Sequence, residues 1–153
     1  MRQAMAWHKV GDWPREAESG SVTLCYADRS RRRGQMTTDS GEALLLNLPR
    51  PVRLADGDGL RLSEGGFIRV IAAAELLLET TAEDAKALAR LAWHIGNRHV
   101  AAEILDDRHL RIVFDSVLES MLRQLGATVH ALEAPFHPEG GAYGQVGIGG
   151  HAH

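Results

Sequence analysis

The chain has 153 residues, enough for one average domain or two small ones. Its hydrophobic content of 44% and charged content of 24% are typical of a globular protein, which excludes a mainly disordered chain. The formal net charge of -3 argues against a basic surface that coats nucleic acid, and no apolar run approaches the roughly 18–20 residues needed to span a bilayer.

The N-terminal sequence and the single cysteine indicate a cytoplasmic protein. Residues 1–14 lack the continuous apolar core of a signal peptide and include Lys9 and Asp12. Cys25 is alone, so one chain forms neither an internal disulfide nor a cysteine-based zinc site. Because the chain has 8 histidines, imidazole is the expected ligand of any metal.

The first half of the chain has the alternating pattern of β-strands. Val22, Leu24 and Tyr26 alternate with Thr23 and Cys25, and later apolar alternations continue to residue 72. No helical period occurs in residues 21–72. We predict a small β-sandwich or barrel within an all-β N-terminal domain of residues 1–73.

Turn residues divide these strands. Two pairs between apolar alternations predict hairpins, namely Ser40 with Gly41 and Asp58 with Gly59. Pro49 and Pro51 are expected to end a strand or to lie on its edge.

The pattern changes after residue 73. Leu76 and Leu78 predict a strand, and Thr80 with Glu83 fits a capping box. An amphipathic helix is expected next, with Gly96 as its left-handed C-terminal residue. Its apolar stripe comprises Ala85, Leu88, Leu91, Ala92 and Ile95.

Two strands, a second helix and a last strand follow. Residues 100–105 and 110–114 predict strands joined by a turn at 106–108, and Ser116 with Glu119 forms a second capping box. This second helix has its apolar stripe at Leu118, Met121, Leu122 and Leu125, stops at Gly126, and precedes a strand at 128–132.

The predicted fold is therefore α+β. The order β-α-β-β-α-β over residues 74–140 is that of a ferredoxin-like domain, with two helices on one face of an antiparallel sheet. From Phe136 the sequence becomes rich in glycine, and we expect a flexible, histidine-containing tail at 141–153.

The segment HIGNRHV, residues 94–100, carries the first candidate ligands. His94 falls in the last helical turn, where an imidazole interacts favourably with the helix dipole, and we favour that interpretation over a ligand. His99 follows the Gly-Asn-Arg bend and is expected to open the next strand with its ring projecting from an edge. Spacing alone does not favour metal binding, because a tight site needs about four to six donors.

A symmetric dimer would provide further metal ligands. Two chains about a two-fold axis bring two His99 side chains together, and a mobile tail ending His151-Ala152-His153 supplies two more imidazoles. On the tail sequence alone, an incidental terminus is an equally good interpretation.

Other candidates have simpler explanations. Asp106 and Asp107 suit carboxylate ligands but also a hairpin turn. A basic cluster suits an acidic partner or phosphate, but is more typical of a solvated turn; it comprises Arg29, Arg31, Arg32 and Arg33. His109 and His130 are expected to face solvent. No nucleophile, P-loop, H-E-x-x-H or dinucleotide motif occurs, so we expect no enzyme.

The sequence resembles the UreE family of urease accessory proteins, which are nickel metallochaperones. The likeness runs nearly end to end and includes LCYADRSRRRGQMTTDSGEALLLNLP at 24–49 and LADGDGL at 54–60. In the second half it includes HIGNRHV at 94–100, VLESMLRQLGATV at 117–129 and APFHPEGGAYG at 134–144. GNRH with the downstream PEGGAYG is a fairly specific pair.

The resemblance implies a β-rich domain similar to a peptide-binding module and a ferredoxin-like metal-binding domain. It implies a homodimer in which His99 of both chains binds Ni(II), with His151 and His153 as further ligands. The H-x-H pair of some members is replaced here by Phe114 and Ser116. The family delivers nickel to an apo-urease complex that contains a GTPase accessory protein, and Cu(II) and Zn(II) compete for imidazole sites.

Two other functions remain to be weighed. A peptide- or protein-binding adaptor would use the β-domain and leave the histidines incidental. RNA binding by the ferredoxin-like sheet is disfavoured, because such sheets need exposed aromatic rings and only Phe114 lies in the predicted strands, on the expected inward face.

Overall fold

The computed structural model describes residues 1–140. Residues 1–73 form one compact unit and residues 74–139 form a second. The predicted tail at 141–153, with His151 and His153, lies outside the described residues.

The N-terminal unit is a single mixed sheet of six strands, which confirms the all-β prediction. The strands are β1 (Arg2–His8), β2 (Glu18–Leu24), β3 (Ser30–Thr37), β4 (Ala43–Arg53), β5 (Gly59–Leu62) and β6 (Phe67–Ala72). Their order across the sheet is β2-β6-β5-β1-β4-β3. The β1–β4 and β2–β6 pairs are parallel, and the others are antiparallel. Strand β1 has no counterpart in the sequence-based prediction.

The sheet curves around one apolar core in the manner of a partial barrel. Alternate residues face inward, so Leu44, Leu46 and Leu48 of β4 are buried while Leu45 is exposed. Asp39, in the turn after β3, reaches the opposite edge of the sheet. Its amide donates to the Ser21 carbonyl at 2.9 Å, and its Oδ2 accepts from Ser21 Oγ at 2.6 Å. Of the two predicted alternatives, the structure favours the barrel.

One of the two predicted hairpin turns is present in the structure and the other is not. Ser40 and Gly41 do join the antiparallel strands β3 and β4. The hairpin predicted at Asp58 and Gly59 is wrong, because β4 and β5 do not pair with each other. Asp58 is instead a buried anchor: its carboxylate accepts from the amides of Val10 at 3.0 Å and Ala55 at 2.8 Å, and from Trp7 Nε1 at 2.8 Å.

Strand β4 contains both prolines, and strand β3 contains three arginines of the basic cluster. Pro49 and Pro51 do not end β4. Neither proline has a Cα partner in β1 or β3, which agrees with the other predicted alternative, an unpaired edge position. The basic cluster is not a solvated turn. Arg29 is buried, with its Cζ 5.8 Å from the centre of the Tyr26 ring, and residues 31–33 belong to β3.

The C-terminal unit has the predicted ferredoxin-like order. Its elements are β7 (Ala74–Thr81), α1 (Ala85–Asn97), β8 (Glu103–Ile104), β9 (His109–Val113), α2 (Ser116–Gln124) and β10 (Thr128–Pro135). The antiparallel sheet has the order β10-β7-β9-β8. No helix in residues 1–140 is long and apolar enough to cross a membrane.

The apolar stripes of both helices form the core of this unit. Leu88, Leu91 and Ile95 of α1 are buried, and so are Leu118 and Leu122 of α2. They pack with inward residues of the sheet, including Leu78, Leu110, Ile112 and Val129. The spacing of three and four residues therefore identified both buried faces correctly.

Both predicted N-caps are wrong. The carboxylate of Asp84 caps α1 by accepting from the Ala87 amide at 2.8 Å. Thr80 lies inside β7, where it pairs with Val129 and Leu110. Asp115, not Ser116, caps α2 by accepting from two backbone amides. Aspartate and threonine are both good caps, so tertiary pairing of β7 decided where the helix begins.

The glycine-rich segment begins later than predicted. Phe136 is fully buried, and two amides beyond it are bonded to the first residue of β8 and to the residue before it. His137 N donates to Glu103 Oε1 at 3.2 Å, and Glu139 N donates to the Ala102 carbonyl at 2.8 Å. Residues 136–139 are therefore part of the fold.

Replacing Thr80 by valine is expected to stabilise the C-terminal unit by roughly 1 kcal/mol. The Thr80 hydroxyl is buried and has no hydrogen-bond partner in the described part of the chain, so it carries a desolvation cost. The measurement is the free energy of unfolding from hydrogen exchange of the most protected amides. Thr128→Val, at an exposed β10 position, is the control and should change stability by less than about 0.5 kcal/mol. A destabilised Thr80→Val variant would contradict the argument.

Candidate metal site at the end of helix α1

Helix α1 ends in a Schellman turn with His99 at its left-handed position. Arg98 is the C-cap, the His99 amide donates to the Gly96 carbonyl at 3.0 Å, and the Val100 amide donates to the Ile95 carbonyl at 3.3 Å. His99 has a φ of 59°, the only positive value among the described non-glycine residues. The predicted stop at Gly96 is thus wrong, because Gly96 is still helical and the left-handed residue lies three positions later.

Helix α2 ends in the same motif with a glycine at the equivalent position. The Gly126 amide donates to the Arg123 carbonyl at 3.0 Å, the Ala127 amide donates to the Leu122 carbonyl at 3.1 Å, and Gly126 has a φ of 95°. Glycine adopts this conformation freely, whereas a residue with a Cβ pays about 1–2 kcal/mol. The chain therefore holds a histidine where local backbone energetics favour glycine, and such strain is concentrated at functional sites.

The turn fixes the backbone of His99 and leaves its ring in solvent. Ile95 is buried and Val100 packs against the same core, so both ends of the turn are held. His99 is exposed, and its side chain has no hydrogen-bond, ion-pair or ring partner within residues 1–140. It does not open a strand as predicted, since β8 begins only at Glu103. The backbone of His99 is therefore held in place, while its exposed ring is available to bind a ligand.

His94 fits its simpler explanation. It lies in the last turn of α1, half-buried, with its ring edge-on to Trp93 at a centroid distance of 5.0 Å. The favoured position near the negative end of the helix dipole is confirmed. The indole of Trp93 itself is 62% exposed.

The start of the C-terminal tail lies beside the His99 turn. The bonds from His137 and Glu139 attach the segment to Glu103 and Ala102, which lie four and three residues after His99 in the chain. His137 is exposed and was not considered from sequence, although HPEGG is part of the exit segment. His151 and His153 follow this anchor but lie outside the described residues.

A single chain does not assemble a metal site from its described residues. No group of three or more His, Cys, Asp or Glu side chains suited to a metal occurs in residues 1–140. One imidazole such as that of His99 offers one donor, and a stable metal site needs about four to six.

Asp106 has a structural role in the turn before β9. Its Oδ1 accepts from the amides of Arg108 at 2.9 Å and His109 at 2.8 Å, and Nδ1 of His109 lies 2.8 Å from the same oxygen. The Arg108 amide and then the His109 ring hold the pKa of the Asp106 carboxyl below its ordinary value. The turn interpretation of Asp106 is therefore supported by these bonds.

The aromatic ring next to the sheet is exposed and does not face inward. Phe114, just after β9, is 42% exposed, so its predicted inward position is wrong. A stacking platform for RNA uses two or three such rings. Phe114 and Ser116, which flank the N-cap Asp115, provide no imidazole.

Comparison with known proteins gives the same family for both units. Residues 5–73 match the model of the UreE urease accessory protein N-terminal domain, and residues 75–153 match that of its C-terminal domain. The chain belongs to the UreE family. This confirms the resemblance found in the sequence.

Individual relatives cover the chain to different extents. The chain is 46% identical over 145 residues to a urease accessory protein UreE of Ruegeria pomeroyi, covering 95% of this chain and 93% of that protein. It is 48% identical over 133 residues to one from Paraburkholderia xenovorans, covering 87% of this chain and 57% of the relative. The match to a Bradyrhizobium relative, at 49% identity over 130 residues, covers 85% of this chain and 63% of that protein. The chain thus spans less than two thirds of the length of two of these three relatives.

Replacing His99 by glycine is expected to stabilise the C-terminal unit by about 1 kcal/mol, because glycine relieves the left-handed strain. His99→Ala keeps a Cβ and should give little of this gain. The converse change, Gly126→Ala, should cost about 1 kcal/mol at the matched turn. The free energy of unfolding in urea, at a fixed protein concentration, distinguishes the three variants. Equal stability of the Gly and Ala variants at position 99 would mean that the turn is not strained.

Proposed function

We propose that this protein is a nickel metallochaperone that delivers Ni(II) to apo-urease during urease maturation. The observation that carries the proposal is His99, an exposed imidazole held at a strained helix end in a chain of the UreE family. The relatives named above are urease accessory proteins, and the proposal gives this chain the same role.

The proposed site is completed by symmetry. A homodimer with its two-fold axis near the end of α1 brings two His99 rings to one ion. Exposed Trp93, six residues earlier on the same helix, supports an interface here because large exposed apolar side chains are typical of protein contacts. An ion held by few protein ligands remains exchangeable, which delivery requires.

Imidazole donors suit nickel without excluding its neighbours in the first transition series. Affinity generally rises from Ni(II) to Cu(II), and Zn(II) binds comparably to Ni(II). Zn(II) and Cu(II) therefore compete for the same ligands. We infer that metal availability and contacts with the urease apoprotein complex and its GTPase accessory protein provide the selectivity.

The tail is proposed to supply auxiliary ligands. Glu139 is bonded to Ala102, so the tether to His151 starts close to His99 in the chain and comprises the 11 residues 140–150. An extended chain of that length reaches about 40 Å. The proposal treats this glycine-rich segment as a flexible tether, for which effective concentrations are around the millimolar range. His151 and His153 thus have the length of chain needed to reach the proposed site.

The proposed function is non-catalytic. The second candidate is a peptide- or protein-binding adaptor whose β-sheet unit does the work and whose histidines are incidental. Metal titration separates the two functions, since only the first requires a site that depends on His99.

His99→Gly is expected to remove the tightest Ni(II) binding event from the calorimetric isotherm, a loss of at least about tenfold in affinity, or about 1.4 kcal/mol. Glycine is the sharper choice than alanine, because the variant should be at least as stable as the parent and unfolding does not explain a loss. His130→Ala, an exposed β10 imidazole, is the matched control and should bind as the parent does. Parental affinity in His99→Gly would refute the ligand assignment.

Deletion of residues 145–153 is expected to lower the nickel stoichiometry or affinity modestly while the His99-dependent event and the dimer persist. Tail ligands lose conformational freedom on binding, which limits their contribution. Calorimetry and sedimentation compare the full chain with one ending at Gly144. Identical isotherms would show that the tail histidines are incidental, and complete loss of binding would show that the tail holds the primary site.

A further inference from the structure

The end of helix α1 is joined to helix α2 through a sulfur atom. Arg98 is the C-cap of α1, and its Nε donates to Sδ of Met121 on α2 at 3.1 Å. Met121 is half-buried and packs against the core of the C-terminal unit. Arg98 is exposed and has no ion pair among residues 1–140, so Met121 is its side-chain partner there. A charged donor is thus placed on a thioether, which is a weak hydrogen-bond acceptor.

This sulfur differs chemically from the other potential metal ligands of its half of the chain. From residue 74 to the end, the sequence contains no cysteine and a single methionine, Met121. The remaining side-chain ligands in this half are imidazoles and carboxylates. Imidazole suits nickel, copper and zinc, whereas a thioether is a soft ligand that selects Cu(I). Met121 is therefore the side chain of this half that would favour copper over nickel.

The contact lies next to the proposed nickel ligand. Arg98 and His99 are consecutive, with Cα atoms about 3.8 Å apart, and the His99 amide is held by its bond to the Gly96 carbonyl. The sulfur that accepts from Arg98 is therefore about one arginine side chain away from the turn. Methionine has three rotatable bonds, so a released thioether would be able to turn towards a metal ion on His99. Without Arg98, the turn would offer a mixed pair of imidazole and thioether.

We infer that Arg98 is a specificity-determining residue, an inference that rests on the proposed role of His99 as a metal ligand. By donating to Sδ of Met121, Arg98 engages a lone pair that a metal ion would need, and its positive charge opposes the approach of a cation to the sulfur. The soft ligand is withheld, so a metal ion at His99 meets imidazole without sulfur. Cu(I), a competitor of nickel, loses the ligand that it prefers. Specificity is gained here by disfavouring the competitor.

A purely structural role for Arg98 has different consequences. Its charge also interacts favourably with the negative end of the α1 dipole, and the contact with Met121 joins two helices. If this were its whole role, removing Arg98 would lower the stability of the unit and leave metal binding independent of the sulfur. The deciding measurement is therefore metal selectivity and not stability.

The probe is Cu(I), titrated anaerobically into the full chain in competition with a chromophoric chelator. Arg98→Ala should raise the affinity for Cu(I) by about tenfold, the scale on which neighbours of a ligand alter metal affinity. The double variant Arg98→Ala with Met121→Leu should return to the parental affinity, because the gain requires the sulfur. X-ray absorption at the copper edge should show a copper–sulfur contribution in Arg98→Ala and none in the double variant. Ni(II) affinity should not depend on Met121, since nickel gains little from a soft ligand.

Two further variants serve as controls. Met121→Leu conserves volume and should bind Cu(I) as the parent does, because the sulfur is already engaged by Arg98. Arg90→Ala removes the same charge from another exposed position of α1 that has no ion pair in the described chain. It should change Cu(I) affinity by less than about twofold. Circular dichroism of each variant confirms that the helices are intact.

Three results would overturn the inference. The first is unchanged Cu(I) affinity in Arg98→Ala, and the second is a gain that persists in the double variant or recurs in Arg90→Ala, which would assign it to charge. The third is a fall in Cu(I) affinity in Met121→Leu alone, which would show that the sulfur already binds metal in the parent. Because this variant keeps Arg98, it tests the inference even if Arg98→Ala does not fold.

Titration of His99→Gly with Ni(II) separates a failure of this inference from a failure of the proposed function. Loss of nickel binding in His99→Gly together with unchanged Cu(I) affinity in Arg98→Ala would overturn the role of Arg98 alone. Parental nickel binding in His99→Gly would refute the ligand assignment, and the role of Arg98 with it.

Discussion

The closure of helix α1 is the constraint on which the proposed function depends. Two backbone bonds, from Val100 to Ile95 and from His99 to Gly96, turn the chain back towards the sheet. Ile95 is buried and Val100 packs in the same core, so neither end of the turn is free to move. The residue between them must therefore be left-handed, and that residue is His99.

The second helix shows what this arrangement costs. Gly126 ends α2 with the same pair of hydrogen bonds, and its left-handed backbone is unstrained because glycine has no Cβ. The fold itself therefore does not require a histidine at such a turn. The core of the C-terminal unit offsets the strain at His99. The imidazole is exposed on a backbone that is held in place, and it has no partner within residues 1–140. A metal-delivery protein needs such a group, because a ligand already engaged by its own chain would bind the ion less readily.

The two units use buried or turn carboxylates for their architecture. Asp58 binds three donors inside the N-terminal unit, Asp39 links the two edges of its sheet, and Asp84 and Asp115 begin the two helices. Arg33 and His99 have no comparable structural partners within the described chain. His99, which carries the proposed metal binding, therefore contributes little to holding the fold.

The sequence by itself determined which faces are buried and in what order the elements occur. Apolar residues repeat every two positions before residue 73 and every three or four positions in the two helices, and burial of Leu44, Leu46, Leu91 and Leu122 follows from those periods. The ferredoxin-like order follows from them as well. His99 was selected by its resemblance to the family motif, because spacing alone did not distinguish it from other histidines.

Only the tertiary structure decided where the elements begin and end. Four side chains near the two helix starts are able to cap a helix, namely Thr80, Asp84, Asp115 and Ser116. Thr80 does not do so, because β7 pairs with a strand on each side and holds Thr80 within the sheet. The sequence predicts that α1 ends at Gly96. Because Val100 packs in the core, the left-handed residue is His99 instead. At each helix boundary the local sequence allows several end positions that differ little in free energy. Burial of residues distant in the chain selects one of them, because packing energies exceed the differences in capping energy.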